Sequence, residues 1–139
     1  MSKASGHTIS VWMNTEVPQL PPLTSDIRST ICIIGAGIAG MTTAYLLARA
    51  GRAVVVIDDG PIGGGETGRT TAHITAALDD RYVEIEKMHG EGGAQIAAES
   101  HTAAINRIES IIALEDIDCD FRRVDGYLFL GGKDKKDEL

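Results

Sequence analysis

The feature that most constrains this chain is a strand–turn–helix–strand pattern near its middle. Ile31–Ile34 is an unbroken apolar run, which is typical of a strand buried on both faces of a parallel sheet. A glycine turn follows, and then an Ala- and Leu-rich segment over 38–50 predicts a helix that ends at Gly51. Ala53–Ile57 is a second, mostly β-branched run. This order predicts a βαβ unit close to the minimal size of such units.

The turn between the first strand and the helix has the GxGxxG pattern of dinucleotide-binding folds. Gly35 is expected to permit the tight turn out of the strand. Gly37 should leave room for a pyrophosphate to approach the backbone, and Gly40 should let the helix pack closely on the strand. The free N–H groups of Ile38 and Ala39, at the positive end of the helix dipole, would then face the anion.

An acid at the end of the second strand is the other half of this fingerprint. Asp58 follows Gly40 at close to the expected spacing of roughly 20 residues, and its carboxylate can accept hydrogen bonds from an adenosine ribose. Asp59 adds a second negative charge, which disfavours a ribose phosphate and so argues against NADP. A glycine turn in an ordinary α/β sheet with a surface aspartate is the alternative, but strand, glycines, helix and acid in register favour the nucleotide site.

A second segment rich in glycine and hydroxyl groups comes directly after this acid. Gly63–Thr75 contains four glycines, several threonines and Arg69, which can line a diphosphate and the chain beyond it. A nicotinamide dinucleotide site has no obvious need for such a segment here, so the pattern favours FAD over NAD. A mobile surface loop is the alternative interpretation.

The two glycine-rich segments together resemble the N-terminal part of the FAD-dependent oxidoreductases that include glycine oxidase, D-amino-acid oxidase and sarcosine oxidase. The stretch Gly65–His73, with Ser10–Met13 upstream, is most similar to a branch whose full-length members carry a C-terminal Rieske iron–sulfur domain. The resemblance extends from about Ser10 to Gly132. It implies FAD as the cofactor, oxidation of a C–N bond of an amine or amino acid by hydride transfer to flavin, and a Rieske [2Fe-2S] cluster in a C-terminal part.

The resemblance also implies roles for individual residues. The adenosine ribose would contact Asp58, the pyrophosphate would contact the first glycine turn and the Thr67 region, and the stretch from Thr71 to His73 would run beside the flavin. The family more often has Glu at the position of Asp58, although the shorter side chain still reaches a hydroxyl. Catalytic residues are not assigned. The predicted cofactor-binding residues are Gly35, Gly37, Ile38, Ala39, Gly40, Asp58, Asp59, Thr67, Arg69, Thr71, Ala72 and His73.

The segments on either side of the βαβ unit have simpler signals. In the polar N-terminal arm, the prolines at 18, 21 and 22 favour an extended path, and Trp12 and Met13 are expected to pack on the domain surface. Farther along, Arg81–His89 predicts a short helix that the glycines at 90, 92 and 93 break. Ala94–Glu115 predicts a longer helix.

The C-terminal segment predicts a β-hairpin, because Phe121–Val124 and Tyr127–Leu130 flank the turn dipeptide Asp125–Gly126. The predicted fold class is therefore α/β: a Rossmann-type βαβ FAD-binding unit, then helices and a hairpin, in an incomplete domain. The expected domains are an N-terminal arm (1–28), the N-terminal part of an FAD-binding domain (29–118) and the truncated start of a substrate-binding domain (119–139).

Composition excludes several classes of partner. The formal net charge of -7 disfavours nucleic acid and anionic membrane surfaces, and no apolar run approaches the roughly 20 residues that span a bilayer. Cys32 and Cys119 are expected to be reduced thiols of a cytoplasmic protein, and His7, His89 and His101 lack metal-ligand spacing. The expected partner is a small amine or amino-acid substrate, and the oligomeric state is open.

Two other functions compete with an amine or amino-acid oxidoreductase. One is a nucleotide-binding module without catalysis, and the other is an NAD-dependent dehydrogenase. The chain by itself is expected to be inactive, because the resemblance puts the substrate-binding part of the enzyme outside these residues.

Overall fold

The computed structural model describes residues 9–79, 81–127 and 129, and the chain divides into two compact units, Met1–His73 and Ile74–Leu139. The first unit contains a 3₁₀ helix, strand β1, helix α1, strand β2 and a second 3₁₀ helix. The second unit contains the long helix α2. The 3₁₀ helices are Val11–Asn14 and Glu66–Arg69, and the strands are β1, Ile31–Ile34, and β2, Val54–Ile57. The α-helices are α1, Ile38–Arg49, and α2, Arg81–Leu114.

The predicted βαβ unit is present in the first compact unit. β1 and β2 pair in parallel, in a register that runs from Ile31 opposite Val54 to Ile34 opposite Ile57, and α1 connects them and packs on both. The helix ends at Arg49, one residue before the predicted end, and Gly51 lies just past it, as predicted, with a left-handed φ of 74°. The N–H of Gly51 donates to the carbonyl of Ala48, and the N–H of Arg52 donates to the carbonyl of Leu47. This pair of bonds is common at helix C-termini and holds the chain as it turns into β2.

Burial of the sheet differs from the sequence-based expectation. β1 alternates between half-buried and exposed residues, so that Ile31 and Ile33 are covered while Cys32 and Ile34 are not, and Ile34 is 84% exposed. One face of β1 therefore lacks cover in the described part of the chain, and the prediction of a strand buried on both faces is wrong for this structure. An apolar run on its own does not reveal how many layers pack against it.

The second compact unit is dominated by α2. Gly90, with φ 74° and ψ 170°, interrupts the helical backbone, so the predicted break after His89 is confirmed. Gly92 and Gly93 are helical, and the prediction that they also break the helix is wrong. A glycine costs a helix only about 1 kcal/mol relative to alanine, which neighbouring good helix formers can offset. No helix within the described residues is long and apolar enough to cross a membrane.

The predicted C-terminal hairpin is not formed over residues 121–127, which contain no strand. Leu128 and Leu130, which belong to the predicted second strand, lie outside the described residues. Val124 and Tyr127 are exposed, and a lone two-stranded hairpin with no surface to pack on is marginal at best. The fold of the described residues is thus a two-stranded parallel sheet with helices, and the domain boundaries proposed at residues 28 and 118 stay predictions.

Candidate nucleotide-binding site

The turn after β1 has the backbone conformation that the sequence predicts. Gly35 adopts φ 102°, a region that residues with a Cβ rarely occupy. Its N–H donates to the carbonyl of Ile57 at 2.8 Å, so the turn begins at the carboxyl end of β2. The end of one strand and the start of the glycine turn are therefore held together.

Gly40 is the most tightly packed glycine of the turn. A Cβ built there would lie 1.9 Å from the carbonyl oxygen of Gly35 and 3.3 Å from Cγ2 of Ile33. No side chain fits in that space, so the first turn of α1 packs directly against the backbone that leaves β1. This is the close helix–strand contact for which the sequence pattern requires a glycine.

Asp58 joins the two strand ends through its carboxylate. Oδ2 accepts a hydrogen bond from the N–H of Ala36 at 2.6 Å, and Oδ1 accepts one from the N–H of Gly60 at 2.8 Å. These bonds, led by the one from Ala36, lower the pKa of Asp58 below its ordinary value. A carboxylate has about four acceptor positions, so two bonds leave capacity for a ribose hydroxyl. Asp59 lies next to it and is exposed.

The second glycine-rich segment reaches the first turn. Thr67 lies in the 3₁₀ helix Glu66–Arg69, and its Oγ1 accepts a hydrogen bond from the N–H of Ile38 at 2.9 Å. A second bond, from the N–H of Gly63 to the carbonyl of Ala36 at 2.9 Å, fixes the segment beside the turn. The structure therefore brings Thr67 to the N-terminus of α1, and its contact with a pyrophosphate stays a prediction.

Gly37 lies between these groups. It precedes α1 with extended backbone, and a Cβ built on it would lie 3.1 Å from Oγ1 of Thr67. The need for glycine at this position is thus one of space rather than of backbone conformation. A larger side chain would fill the gap between the turn and the second segment.

The remaining predicted residues lie at the end of the 3₁₀ helix Glu66–Arg69 and directly after it. Arg69 is its last residue, and Thr71, Ala72 and His73 come after it. Ala72 has a left-handed φ of 66°, which is uncommon for a residue with a Cβ and tends to mark functional sites. The Nδ1 atom of His73 lies 3.2 Å from the carbonyl oxygen of Thr71.

A contact that the sequence analysis did not assign links the N-terminal arm to this segment. Nε1 of Trp12 donates to Oγ1 of Thr70 at 2.7 Å, and Oγ of Ser10 donates to the carbonyl of Thr70 at 2.7 Å. The expectation that Trp12 packs on the domain surface is confirmed. Its partner was not predictable, and the only signal was a tryptophan isolated in a polar arm.

These groups fit a dinucleotide. The first backbone N–H groups of α1 have no acceptor within the helix, and that of Ile38 bonds to the Thr67 hydroxyl, beside a position where Gly37 has no side chain. Beside them are the Thr67 hydroxyl, which binds phosphate oxygens readily, and the Asp58 carboxylate, which accepts from hydroxyls. The backbone N–H groups and the Thr67 hydroxyl suit an anionic diphosphate, and the Asp58 carboxylate suits the hydroxyl groups of a sugar.

Comparison with known proteins assigns the chain to a family. Residues 30–139 match the family described as DAO, FAD dependent oxidoreductase. The chain belongs to this family. FAD dependence is the family's defining property, and the match includes both glycine-rich segments.

Relatives of the chain have names that mention several substrates and centres. A protein named as a Rieske 2Fe-2S iron-sulfur protein, YhfW of Bacillus subtilis, is 37% identical over 84% of this chain and 23% of its own length. The gamma-glutamylputrescine oxidoreductase of Escherichia coli is 32% identical over 82% of this chain and 26% of its own length. A D-amino acid dehydrogenase of Dechloromonas aromatica is 49% identical over 27% of this chain and 9% of its own length.

The chain spans about a quarter of the length of the first two of these relatives. No solved structure matches it. The family and its cofactor thus rest on sequence similarity, and the arrangement of the candidate site rests on the contacts described above.

Proposed function

We propose that this chain supplies the FAD-binding segment of an oxidoreductase that oxidises a C–N bond of an amine or amino acid. The observation that carries the proposal is the convergence of three elements at the N-terminus of α1. The Asp58 carboxylate bonds to the glycine turn, the Thr67 hydroxyl bonds to Ile38, and Gly37 leaves the space between them open. Membership of an FAD-dependent family supports FAD as the molecule that binds there.

Each residue of the site has a role in this proposal. The N–H groups of Ile38 and Ala39 bind the diphosphate in the manner of a Rossmann-type fold, and the N–H of Ile38 exchanges its bond to the Thr67 hydroxyl for one to a phosphate oxygen. Arg69 adds a positive charge on the same segment. Asp58 accepts from the adenosine ribose while its bond from Ala36 keeps the carboxylate oriented.

Two further groups of residues complete the proposed site. Asp59 adds negative charge that disfavours a ribose phosphate. The stretch Thr71-Ala72-His73 runs beside the flavin. When bound, FAD accepts the hydride that leaves the substrate carbon next to nitrogen, while the residues of this chain bind and orient the cofactor.

The substrate class is proposed from the relatives. Gamma-glutamylputrescine is an amine and D-amino acids carry an amino group, so both names point to oxidation next to nitrogen. The similarity to YhfW supports a further proposal, that the complete protein carries a Rieske [2Fe-2S] cluster outside these 139 residues. A small amine or amino acid is the expected partner.

The test uses protein expressed from its complete gene. We expect it to be purified with the absorbance of oxidised flavin, and we expect this band to bleach anaerobically with at least one member of a panel of amines and amino acids. Flavin that no amine or amino acid reduces would contradict the proposed reaction and leave a nucleotide-binding module. Protein that binds NAD instead of FAD would contradict the cofactor assignment.

A further inference from the structure

The N-terminal arm is held by hydrogen bonds as well as by partial packing of its apolar side chains. Val11, Trp12 and Met13 form its 3₁₀ helix and are 60%, 40% and 44% exposed. Cavities of about 700 Å³ and 310 Å³ lie against this helix, the larger beside Gly63–Gly65 and the smaller beside Arg69–Thr71. The two hydrogen bonds to Thr70 give this partly covered helix a defined position on the second glycine-rich segment.

Thr70 connects the arm to the candidate cofactor site. It follows the 3₁₀ helix Glu66–Arg69, and its N–H and its hydroxyl both point at the carbonyl of Thr67, at 3.5 Å and 3.4 Å. Thr67 in turn accepts from the N–H of Ile38. A continuous series of hydrogen bonds therefore runs from Trp12 through Thr70 and Thr67 to the first turn of α1.

We infer that Trp12, assisted by Ser10, is a positioning residue that holds Thr67 over the N-terminus of α1 and thereby raises the affinity for FAD. The inference rests on the proposed function and deepens it, since it assigns a role to an arm that precedes the dinucleotide fingerprint. The Trp12 side chain itself bonds to Thr70 and acts through it. Ser10 holds the carbonyl of the same residue.

The experiment measures the dissociation constant of FAD on apo-protein prepared from the complete gene product. Trp12→Phe keeps an aromatic ring but removes the N–H donor, and Thr70→Val keeps the shape but removes the acceptor. We expect each change to weaken FAD binding about fivefold, the effect of one neutral hydrogen bond. The double variant should bind FAD no more weakly than Thr70→Val alone, because that change already removes the acceptor of the Trp12 bond together with the contact of the hydroxyl with the carbonyl of Thr67.

Two controls separate positioning from a general loss of structure. Thr70→Ser keeps the hydroxyl and should restore FAD affinity to within about twofold of the unaltered protein. Thr15→Val makes the same change of side chain in the arm, at a residue whose described bond uses its backbone N–H, and should leave the affinity unchanged. The urea midpoint of the apo-protein should be similar for all of these variants.

The outcomes distinguish this inference from the proposed function. Unaltered protein that does not bind FAD overturns both. Unaltered protein that binds FAD, with single variants that bind equally well or with additive effects in the double variant, overturns only the role of Trp12. Failure of Thr70→Ser to restore affinity overturns it as well, because the hydroxyl is the group that the inference requires.

Discussion

The glycine turn at 35–40 and the glycine-rich segment at 60–70 use the same residue type for different purposes. In the turn, Gly40 has backbone 1.9 Å from where its Cβ would be, whereas Gly65 in the second segment has nothing within 4 Å. The turn is therefore closed by steric exclusion at Gly40. The second segment has crowded glycines as well, with a Cβ at Gly68 lying 2.8 Å from the carbonyl oxygen of Gly63, but its contacts with the turn and the arm are hydrogen bonds that Thr67 accepts from Ile38 and Thr70 accepts from Trp12. A side chain added at Gly40 should accordingly have a large effect, and loss of a hydroxyl at Thr67 or Thr70 should have a smaller one.

The largest effect is expected at Gly40. Gly40→Ala introduces a Cβ that overlaps the Gly35 carbonyl, so α1 must move away from the sheet. We expect a loss of about 3 kcal/mol or more in the free energy of unfolding, at the upper end for overpacking, measured by urea denaturation. Gly92→Ala is the matched control, because Gly92 is also a helical glycine and a Cβ built there would meet nothing within 4 Å. Equal stability of the two variants would contradict the steric account of the turn.

Gly37 comes next, because it combines crowding with the proposed cofactor contact. Gly37→Val should fill the space beside Oγ1 of Thr67 and displace the diphosphate, so that the purified protein contains little or no FAD. The ratio of flavin absorbance to protein absorbance measures this, with Gly92→Val, at a helical glycine outside both glycine-rich segments, as the control in open surroundings. A variant that keeps stoichiometric FAD would show that the cofactor binds elsewhere.

A smaller effect is expected at Asp58, where the contact is a hydrogen bond. Asp58→Ala should weaken FAD binding roughly tenfold or more, as is usual when a hydrogen bond to a charged group is removed, measured by isothermal titration of apo-protein. Asp26→Ala, a change at an exposed acid of the arm, is the control. Unchanged affinity would mean that Asp58 serves only to hold the turn.

The lowered pKa of Asp58 also predicts how stability depends on pH. Its pKa is lower in the folded protein than in the unfolded chain, so the ionised carboxylate stabilises the fold above the unfolded value of about 3.9. That contribution is lost as the pH falls through the folded pKa. The stability difference between the unaltered protein and Asp58→Asn should therefore be full near pH 6 and shrink below pH 4. A difference that does not change with pH would exclude the charge as its cause.

The smallest effect is expected at Thr67, in the second glycine-rich segment. Thr67→Val removes the acceptor for the N–H of Ile38 and should lower the free energy of unfolding of the apo-protein by about 1 kcal/mol, as loss of a helix cap does. Thr67→Ser keeps the hydroxyl and should be close to the unaltered protein in urea denaturation. If Thr67→Val lowered the free energy of unfolding as much as Gly40→Ala does, the expected difference between losing one hydrogen bond and overlapping the backbone would be wrong.

The sequence by itself determined the parts of this protein that depend on neighbours along the chain. The strands at 31–34 and 54–57, helix α1 and the break at Gly90 follow from apolar runs, from residue preferences and from glycine at left-handed positions. The roles of Gly35 and Gly40 followed too, because a steric requirement of a known turn applies wherever the pattern occurs. The sequence-based prediction was wrong at Gly92 and Gly93, which are helical although glycine has a low helix propensity.

Tertiary structure decided the contacts between distant residues. That Asp58 bonds to Ala36, that Thr67 bonds to Ile38, and that Trp12 bonds to Thr70 depends on how the chain returns to the glycine turn. Such pairs have no periodic signal, because their separation along the chain is set by the path of the intervening segments. The exposed face of β1 has the same origin, since burial depends on which layers pack against a strand and not on how apolar the strand is.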